Sequence, residues 1–205
     1  MNNPPGNQFP NNDAVMASRE RTAGRRYFWV GGTPIFSPDQ IAELKSIVDN
    51  DSAPALLEGG GENIERPETR RTRVHWLNLQ EYPWVYELIW TQANQANALF
   101  QFDVLPMQDT IQLAVYDSSE QGHFEWHTDI VASDLTRKIS ITVPLNNGDE
   151  FEGGELEFHV GAIQRAPQIA GAPVMFPSWL LHRVTPVTSG KRYSLVAWIR
   201  GPGWR

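Results

Sequence analysis

His127, Thr128 and Asp129, followed 53 residues after the aspartate by His182, are the residues of this 205-residue sequence best placed to do chemistry. In an extended strand, side chains at i and i+2 project from the same face, so His127 and Asp129 reach toward one point. A second imidazole from a distant strand completes a set of three. Two histidines and one carboxylate with the opposite face open is how non-haem Fe(II) is held when it must also take a co-substrate and O2. The same spacing also suits structural polar residues that satisfy one another, so the motif by itself leaves both readings open.

Arg192 adds a second feature, ten residues beyond His182. Strand alternation over residues 191–198 sets Arg192, Ser194, Val196 and Trp198 on one face. A cation and a hydroxyl pointing into an apolar core are costly unless they meet an anion. A carboxylate-bearing ligand supplies that anion, and arginine holds it through two parallel hydrogen bonds.

The elements that must position these groups change character along the chain. Residues 27–30 read as a first strand ended by Gly31 and Gly32. A helix then starts at Ser37, with Pro38 at its first position, Gln40 three residues after the cap, and Ile41, Leu44, Ile47 and Val48 on one face. Residues 51–62 read as a loop and 74–77 as a strand. Pro83 to Phe100 read as a second helix, through the spacing of Val85, Leu88, Ile89, Ala96, Leu99 and Phe100. These helices are long enough to cover one side of a sheet. From Met107 onward, short β-prone runs (111–116, 138–145, 156–160, 173–176 and 192–199) are separated by Gly, Pro, Asn and Ser, which indicates a sandwich or barrel. The expected class is α+β, mainly β: helices first, then a jelly-roll-like core with the N-terminal helices packed on one sheet.

Composition limits the alternatives. There is no cysteine, which excludes a disulfide scaffold, a thiol nucleophile, a zinc finger and an iron–sulfur cluster. A net charge of -7 disfavours a protein built to grip phosphate backbones. No run approaches the roughly 20 apolar residues that cross a bilayer, and the start of the chain resembles no export signal. The expectation is a cytoplasmic protein with no membrane association, a flexible tail over residues 1–18 and a single domain over 19–205, its catalytic core at about 107–205.

Five motifs in order carry a resemblance over roughly the C-terminal half. They are His123-Phe124-Glu125-Trp126-His127-Thr128-Asp129, Phe151-Glu152-Gly153-Gly154-Glu155-Leu156, Phe176-Pro177-Ser178, His182-Arg183-Val184-Thr185-Pro186-Val187 and Gly190-Lys191-Arg192-Tyr193-Ser194. Together they resemble the Fe(II)/2-oxoglutarate dioxygenases, most of all the prolyl 4-hydroxylase-like branch. The resemblance implies a double-stranded β-helix fold, with Fe(II) as cofactor, 2-oxoglutarate as co-substrate and ascorbate as a candidate reductant. It implies His127, Asp129 and His182 as metal ligands and catalytic residues, and Arg192 as partner of the distal carboxylate of 2-oxoglutarate. Tyr116 lies where the family often has a tyrosine bonded to that carboxylate, Ser140 near a family hydroxyl beside the co-substrate, and Ser194 completes Arg-x-Ser. Trp198 would line the pocket wall. Gly171-Ala172-Pro173 departs from the family's usual Gly-Asp before the next apolar strand. The implied activity is hydroxylation of an unactivated C–H, of a prolyl residue in a peptide or protein or of a small molecule, with release of succinate and CO2.

Rival readings remain open on the residues alone. One is a non-catalytic, metal-dependent jelly-roll module that captures a ligand. Another is a zinc hydrolase, for which strand parity would place Glu125 beside His127 and Asp129 as general base. His75, His123 and His159 read as structural, Glu125 and Asp134 as solvated, and Gly153-Gly154 as a tight turn needing positive φ. The Arg66, Arg70, Arg71 and Arg73 cluster fits either a rim that attracts an acidic substrate or a strand with alternate residues in water, the second being preferred. The arginines at 19, 21, 25 and 26 read as a solvated lead-in.

Overall fold

The computed structural model describes residues 28–59, 62–130 and 134–204. Arg19, Arg21, Arg25, Arg26, Tyr27 and the expected tail lie outside them. The first half holds β1 (Val30–Gly31), α1 (Pro38–Asn50), β2 (Ala53–Pro54), β3 (Leu57–Gly59), β4 (Glu62–Ile64), β5 (Arg70–Arg71), β6 (Arg73–Leu77) and α2 (Pro83–Phe100). The second half continues with β7 (Ile111–Asp117), β8 (His123–His127), β9 (Arg137–Pro144), β10 (Glu152–Gly153), β11 (Leu156–His159), β12 (Ile163–Arg165), β13 (Val174–Pro177), β14 (His182–Val184), β15 (Val187–Ser189) and β16 (Lys191–Arg200).

Seven strands form one sheet in the order β1-β13-β9-β16-β7-β6-β2, and five form a second in the order β12-β11-β14-β8-β5. Every pairing in both is antiparallel. This is the expected double-stranded β-helix. The strand expected at 27–30 shrinks to Val30 and Gly31, paired with Val174 and Met175 at the sheet edge.

Helix α1 begins where its capping box predicts. The Ser37 hydroxyl accepts from the Gln40 N–H (3.3 Å), and the Gln40 side chain accepts from the Ser37 N–H (2.8 Å). Leu44 and Val48, four residues apart, are fully buried on its inner face. Both helices cover the outer face of the larger sheet, where Val85 and Ile89 of α2 join Leu113, Ile141, Leu195 and Ile199 in one core. Alternation along β16 then turns Arg192, Ser194, Val196 and Trp198 toward the space between the sheets.

The loop expected over 51–62 is a correction. Ala53 and Pro54 pair with Val74 and Arg73, and β3 and β4 pair as a hairpin. Proline misled the reading, because an edge strand tolerates it where a central one does not. Asp134 is a second correction, since it is bonded to Arg200 (2.6 Å) and Thr136 rather than solvated.

Candidate metal and co-substrate site

Strand β8 ends at His127, so Asp129 lies just past it in a bend, where its N–H donates to the Ser178 carbonyl (2.9 Å). The bend, rather than strand alternation, aims the carboxylate. His127 pairs directly with His182 of β14, while Phe124 pairs with Val184. Two residues of β8, Glu125 and Trp126, therefore oppose the single Arg183, which is a β-bulge. The bulge overturns the parity expected for Glu125. Phe124 and His127 share a face, with ring centroids 3.5 Å apart, and Glu125 is not among the described residues that line the cavity. The zinc-hydrolase reading loses its base.

Each imidazole uses its Nδ1 on the carbonyl two residues earlier, His127 on Glu125 (2.7 Å) and His182 on Leu180 (2.8 Å). A carbonyl can only accept, so Nδ1 carries the proton and Nε2 keeps a free lone pair. His127 Nε2 stands 3.8 Å from Asp129 Oδ1, and His182 Nε2 stands 3.7 Å from Oδ2. One ligand atom from each of the three lies within 4.8 Å of the others. Burial and then the neighbouring His182 push His127 down to about 3, against the pull of Asp129, so the ring is neutral near pH 7. Burial works to raise the Asp129 carboxyl, but His182, His127 and the Ser140 hydroxyl outweigh it and hold the group below the usual range. An ionised carboxylate converging with two imidazole Nε2 atoms suits a divalent cation.

Ser140 is placed differently from the expectation. Its hydroxyl donates to Asp129 Oδ2 (2.5 Å) and lies 3.0 Å from Ser178 Oγ, so it stands behind the carboxylate and is not among the residues lining the cavity. It orients Asp129 rather than facing the co-substrate space.

Arg192 occupies the facing wall. It is 3% exposed, its Nη1 donates to Ser194 Oγ (3.0 Å), and its guanidinium carbon lies 5.1 Å from the centroid of the Tyr116 ring. Its Nε has no partner, and neither has Trp198 Nε1 on the same cavity wall. Burial holds the guanidinium pKa below its ordinary value, and among the described residues no carboxylate lies within 4.0 Å of it. Gly154, at φ +62°, packs behind the side chain, where a Cβ would meet Arg192 Cδ at 3.0 Å. Gly153 has the expected positive φ (+73°) but lies in β10 at a register shift against β15, so the glycine pair serves a strand irregularity rather than a tight turn.

The donor set and the unpartnered buried guanidinium fit Fe(II) and a dicarboxylate. Tyr116, Ser194 and Trp198 line the same cavity. His123 does not, since its ring bonds the Gln121 carbonyl (2.9 Å). His75 bonds the Asp51 carbonyl (2.8 Å), and His159 packs edge-on against Trp126.

Two polar wall residues escaped the sequence reading. Gln112 and Thr142 share the inward parity of Tyr116 and Ser194, a signal legible once the strands were drawn. Arg70, from the cluster read as a rim or, by preference, as a strand with alternate residues in water, donates to Gln112 Oε1 (3.1 Å) and lies over the Phe124 ring at 4.7 Å. Its two-residue strand pairs with β8, directly opposite Phe124. A strand that short shows no alternation to read.

Residues 111–200 match the family model of the 2OG-Fe(II) oxygenase superfamily. A PKHD-type hydroxylase of Picosynechococcus sp. is 33% identical over 112 residues, covering 53% of this chain and 50% of the relative. One from Hyphomonas neptunium is 43% identical over 67 residues, 32% of this chain and 30% of the relative. The chain thus spans at most about half the length of these curated relatives. Among solved structures, a Pseudomonas putida prolyl-4-hydroxylase aligns with a TM-score of 0.68 at 20% identity, over 86% of this chain and 94% of that one. A Trichoplax adhaerens prolyl hydroxylase, in complex with a hypoxia inducible factor oxygen degradation domain peptide fragment, aligns with 0.70 at 15% identity, over 84% and 83%. At such identities the structural likeness speaks for the fold, and the superfamily match speaks for what the fold carries. Residues 111–200 are thus similar to the 2OG-Fe(II) oxygenase superfamily, and the fold around them is that of the solved prolyl hydroxylases.

Proposed function

We propose that this protein is an Fe(II)- and 2-oxoglutarate-dependent dioxygenase that hydroxylates an unactivated C–H, of a prolyl residue in a peptide or protein. The single observation that carries the reading is the buried, unpaired guanidinium of Arg192, which shares one cavity with His127, Asp129 and His182. A module that only captures an anionic ligand would use the same wall, and the superfamily match over residues 111–200 favours turnover.

His127, Asp129 and His182 would hold the metal through Nε2, carboxylate and Nε2, with Ser140 fixing the carboxylate from behind. Arg192 and Ser194 would take the distal carboxylate of 2-oxoglutarate, with Tyr116 against the guanidinium face. Fe(II), with 2-oxoglutarate and O2, would supply the oxidative decarboxylation that yields succinate and CO2 and the oxidising power to functionalise a C–H, with ascorbate as the reductant that keeps it ferrous. Leu156, Phe176, Val184 and Val196 give the wall an apolar part, which helps exclude water from reactive groups. The prolyl substrate rests on the names of the relatives and neighbours. Among the described residues, no helix is long and apolar enough to cross a membrane.

The test is direct. Purified protein with Fe(II) should convert 2-oxoglutarate to succinate, slowly even without substrate, and Asp129→Ala should abolish it. Anaerobic addition of 2-oxoglutarate to the Fe(II) protein should raise a weak visible charge-transfer band. Succinate no higher than in a metal-free control, across iron concentrations, refutes the proposal.

A further inference from the structure

Two guanidinium groups line the cavity, and the proposed chemistry uses one. Asp129 is the only carboxylate among the described residues that line the cavity with Arg70 and Arg192. On the oxygenase reading, Fe(II) with its aspartate carries one net positive charge and 2-oxoglutarate two negative ones. Arg192 brings the assembly to neutrality, and Arg70 leaves one positive charge over. A buried charge without a counter-charge is strongly unfavourable.

The contacts of Arg70 do not cancel it. Its Nη2 bonds a neutral amide, its face lies over Phe124, and its Nε has no partner. Burial holds its pKa below the ordinary value. Among the described residues no carboxylate oxygen stands within 4.0 Å of it.

A neighbouring groove extends the same charge outward. About 380 Å³ in volume, it shares Arg70 with the cavity and is walled also by Arg71 and Arg73. Arg71 bonds the Glu120 carbonyl (2.8 Å) and Arg73 the Ser52 carbonyl, both neutral backbone acceptors. Glu65 and Glu120 line the groove as well, without an ion pair to these arginines. Three guanidinium groups thus run from the cavity into the groove with no described acid engaged.

We propose that Arg70 is a specificity-determining residue that takes a carboxylate of the substrate. The molecule oxidised is then an acid, or a peptide with an acidic group, whose reacting C–H lies a few bonds from that carboxylate. This deepens the oxygenase reading and rests on it.

Matched probes test it without turnover. N-acetyl-L-proline is compared with N-acetyl-L-prolinamide, and N-acetyl-L-prolyl-L-aspartamide, with its free side-chain acid, with the corresponding asparagine peptide. Each is titrated calorimetrically into the anaerobic protein loaded with Fe(II) and 2-oxoglutarate. In at least one pair the acid should bind about tenfold or more tighter than its amide, as expected for a charge-assisted hydrogen bond. The pair that shows it tells whether the carboxylate belongs to a free acid or to an acidic side chain. Arg70→Gln should bring the ratio close to one, and Arg70→Lys should retain part of it. Equal affinities in both pairs, no binding of either acid, or a preference that survives Arg70→Gln overturns the proposal. The comparison on the unmodified chain stands even where a variant fails to fold. An acid preference without succinate formation removes the oxygenase reading and leaves the anion site. Succinate formation without an acid preference does the reverse.

Discussion

Arg192→Met should make the ligand-free protein more stable and its hold on 2-oxoglutarate weaker, two effects of opposite sign from one side chain. Arg192 is buried with its Nε unpartnered, and its one side-chain bond goes to Ser194. A buried donor left unmade costs about 1–3 kcal/mol, and an unpaired charge costs more. Methionine is also long, unbranched and flexible, so it fills much of the same channel. Ser194 loses its donor, which takes back about 1 kcal/mol. The net gain should be about 1–3 kcal/mol, and each kcal/mol raises Tm by about 2–4 °C in a domain of this size. Removing one partner of a buried ion pair costs about 3–5 kcal/mol. The Kd for 2-oxoglutarate should therefore rise roughly 150- to 5,000-fold. Urea unfolding of metal-free protein reads the first effect, and anaerobic calorimetry with Fe(II) reads the second. A variant that is less stable than its parent and binds 2-oxoglutarate equally well would refute the premise of a cation waiting for an anion.

Acid should destabilise the metal-free protein in a window set by His127. In the unfolded chain a histidine takes up a proton below about 6.5, whereas His127 in the fold resists it down to about 3. Stability should then fall by about 1.4 kcal/mol per pH unit below about 6.5, roughly 2 kcal/mol between pH 6.5 and 5. Urea midpoints that stay level across that range contradict the burial argument. Near and below pH 4 the depressed Asp129 carboxyl acts in the same direction, because its stabilising contribution is lost as it protonates. Ser140→Ala leaves Asp129 Oδ2 without its donor and should weaken metal binding about 10- to 100-fold, measured by competition with a chelating dye. Unchanged metal affinity would remove Ser140 from its orienting role. Gly154→Ala places a Cβ against Arg192 Cδ at φ +62° and should cost about 1–2 kcal/mol of stability. It should also reduce 2-oxoglutarate affinity while leaving metal affinity alone, since Gly154 backs the anion wall only; loss of metal binding instead would show a wider collapse.

Periodicity and capping carried the fold well where elements were long. Helix α2 begins at Pro83 and ends at Phe100 as the spacing of Val85, Ile89 and Ala96 predicts, and β16 turns Arg192 and Ser194 inward as alternation requires. The short strands carried little, because two residues contain no period. Arg70 and Arg71 form such a strand, and only pairing with Phe124 and His123 brings Arg70 to the cavity. Glu125 failed for a related reason: parity counts residues, and one extra residue between Phe124 and His127 breaks the count. Asp129 converged on its partners through a bend tied to Ser178, a contact 49 positions away that local pattern does not encode. Ser140 was reached only through the family resemblance, and whether its hydroxyl meets a ligand or another protein group depends on where that bend sets the carboxylate.

The two halves of the candidate chemistry stand on different sheets, and this explains why neither motif is a site alone. His127 and His182 belong to the five-stranded sheet, where their pairing across β8 and β14 sets one imidazole beside the other. Arg192 and Ser194 belong to the seven-stranded sheet, whose outer face is occupied by α1 and α2. That outer packing matters to the inner chemistry. With Leu113, Leu195 and Ile199 already buried against the helices, the opposite face of the same strands carries polar groups without dissolving the core. Asp129 joins the halves, because its side chain meets the imidazoles of one sheet while Ser140 of the other holds it, and its carbonyl accepts from Arg137 of β9 (3.3 Å). A ligand that met the imidazoles at one end and Arg192 at the other would therefore bridge the sheets. Cavity dimensions then follow from sheet spacing, which the apolar core fixes, and the chemistry inherits its precision from residues that never touch it.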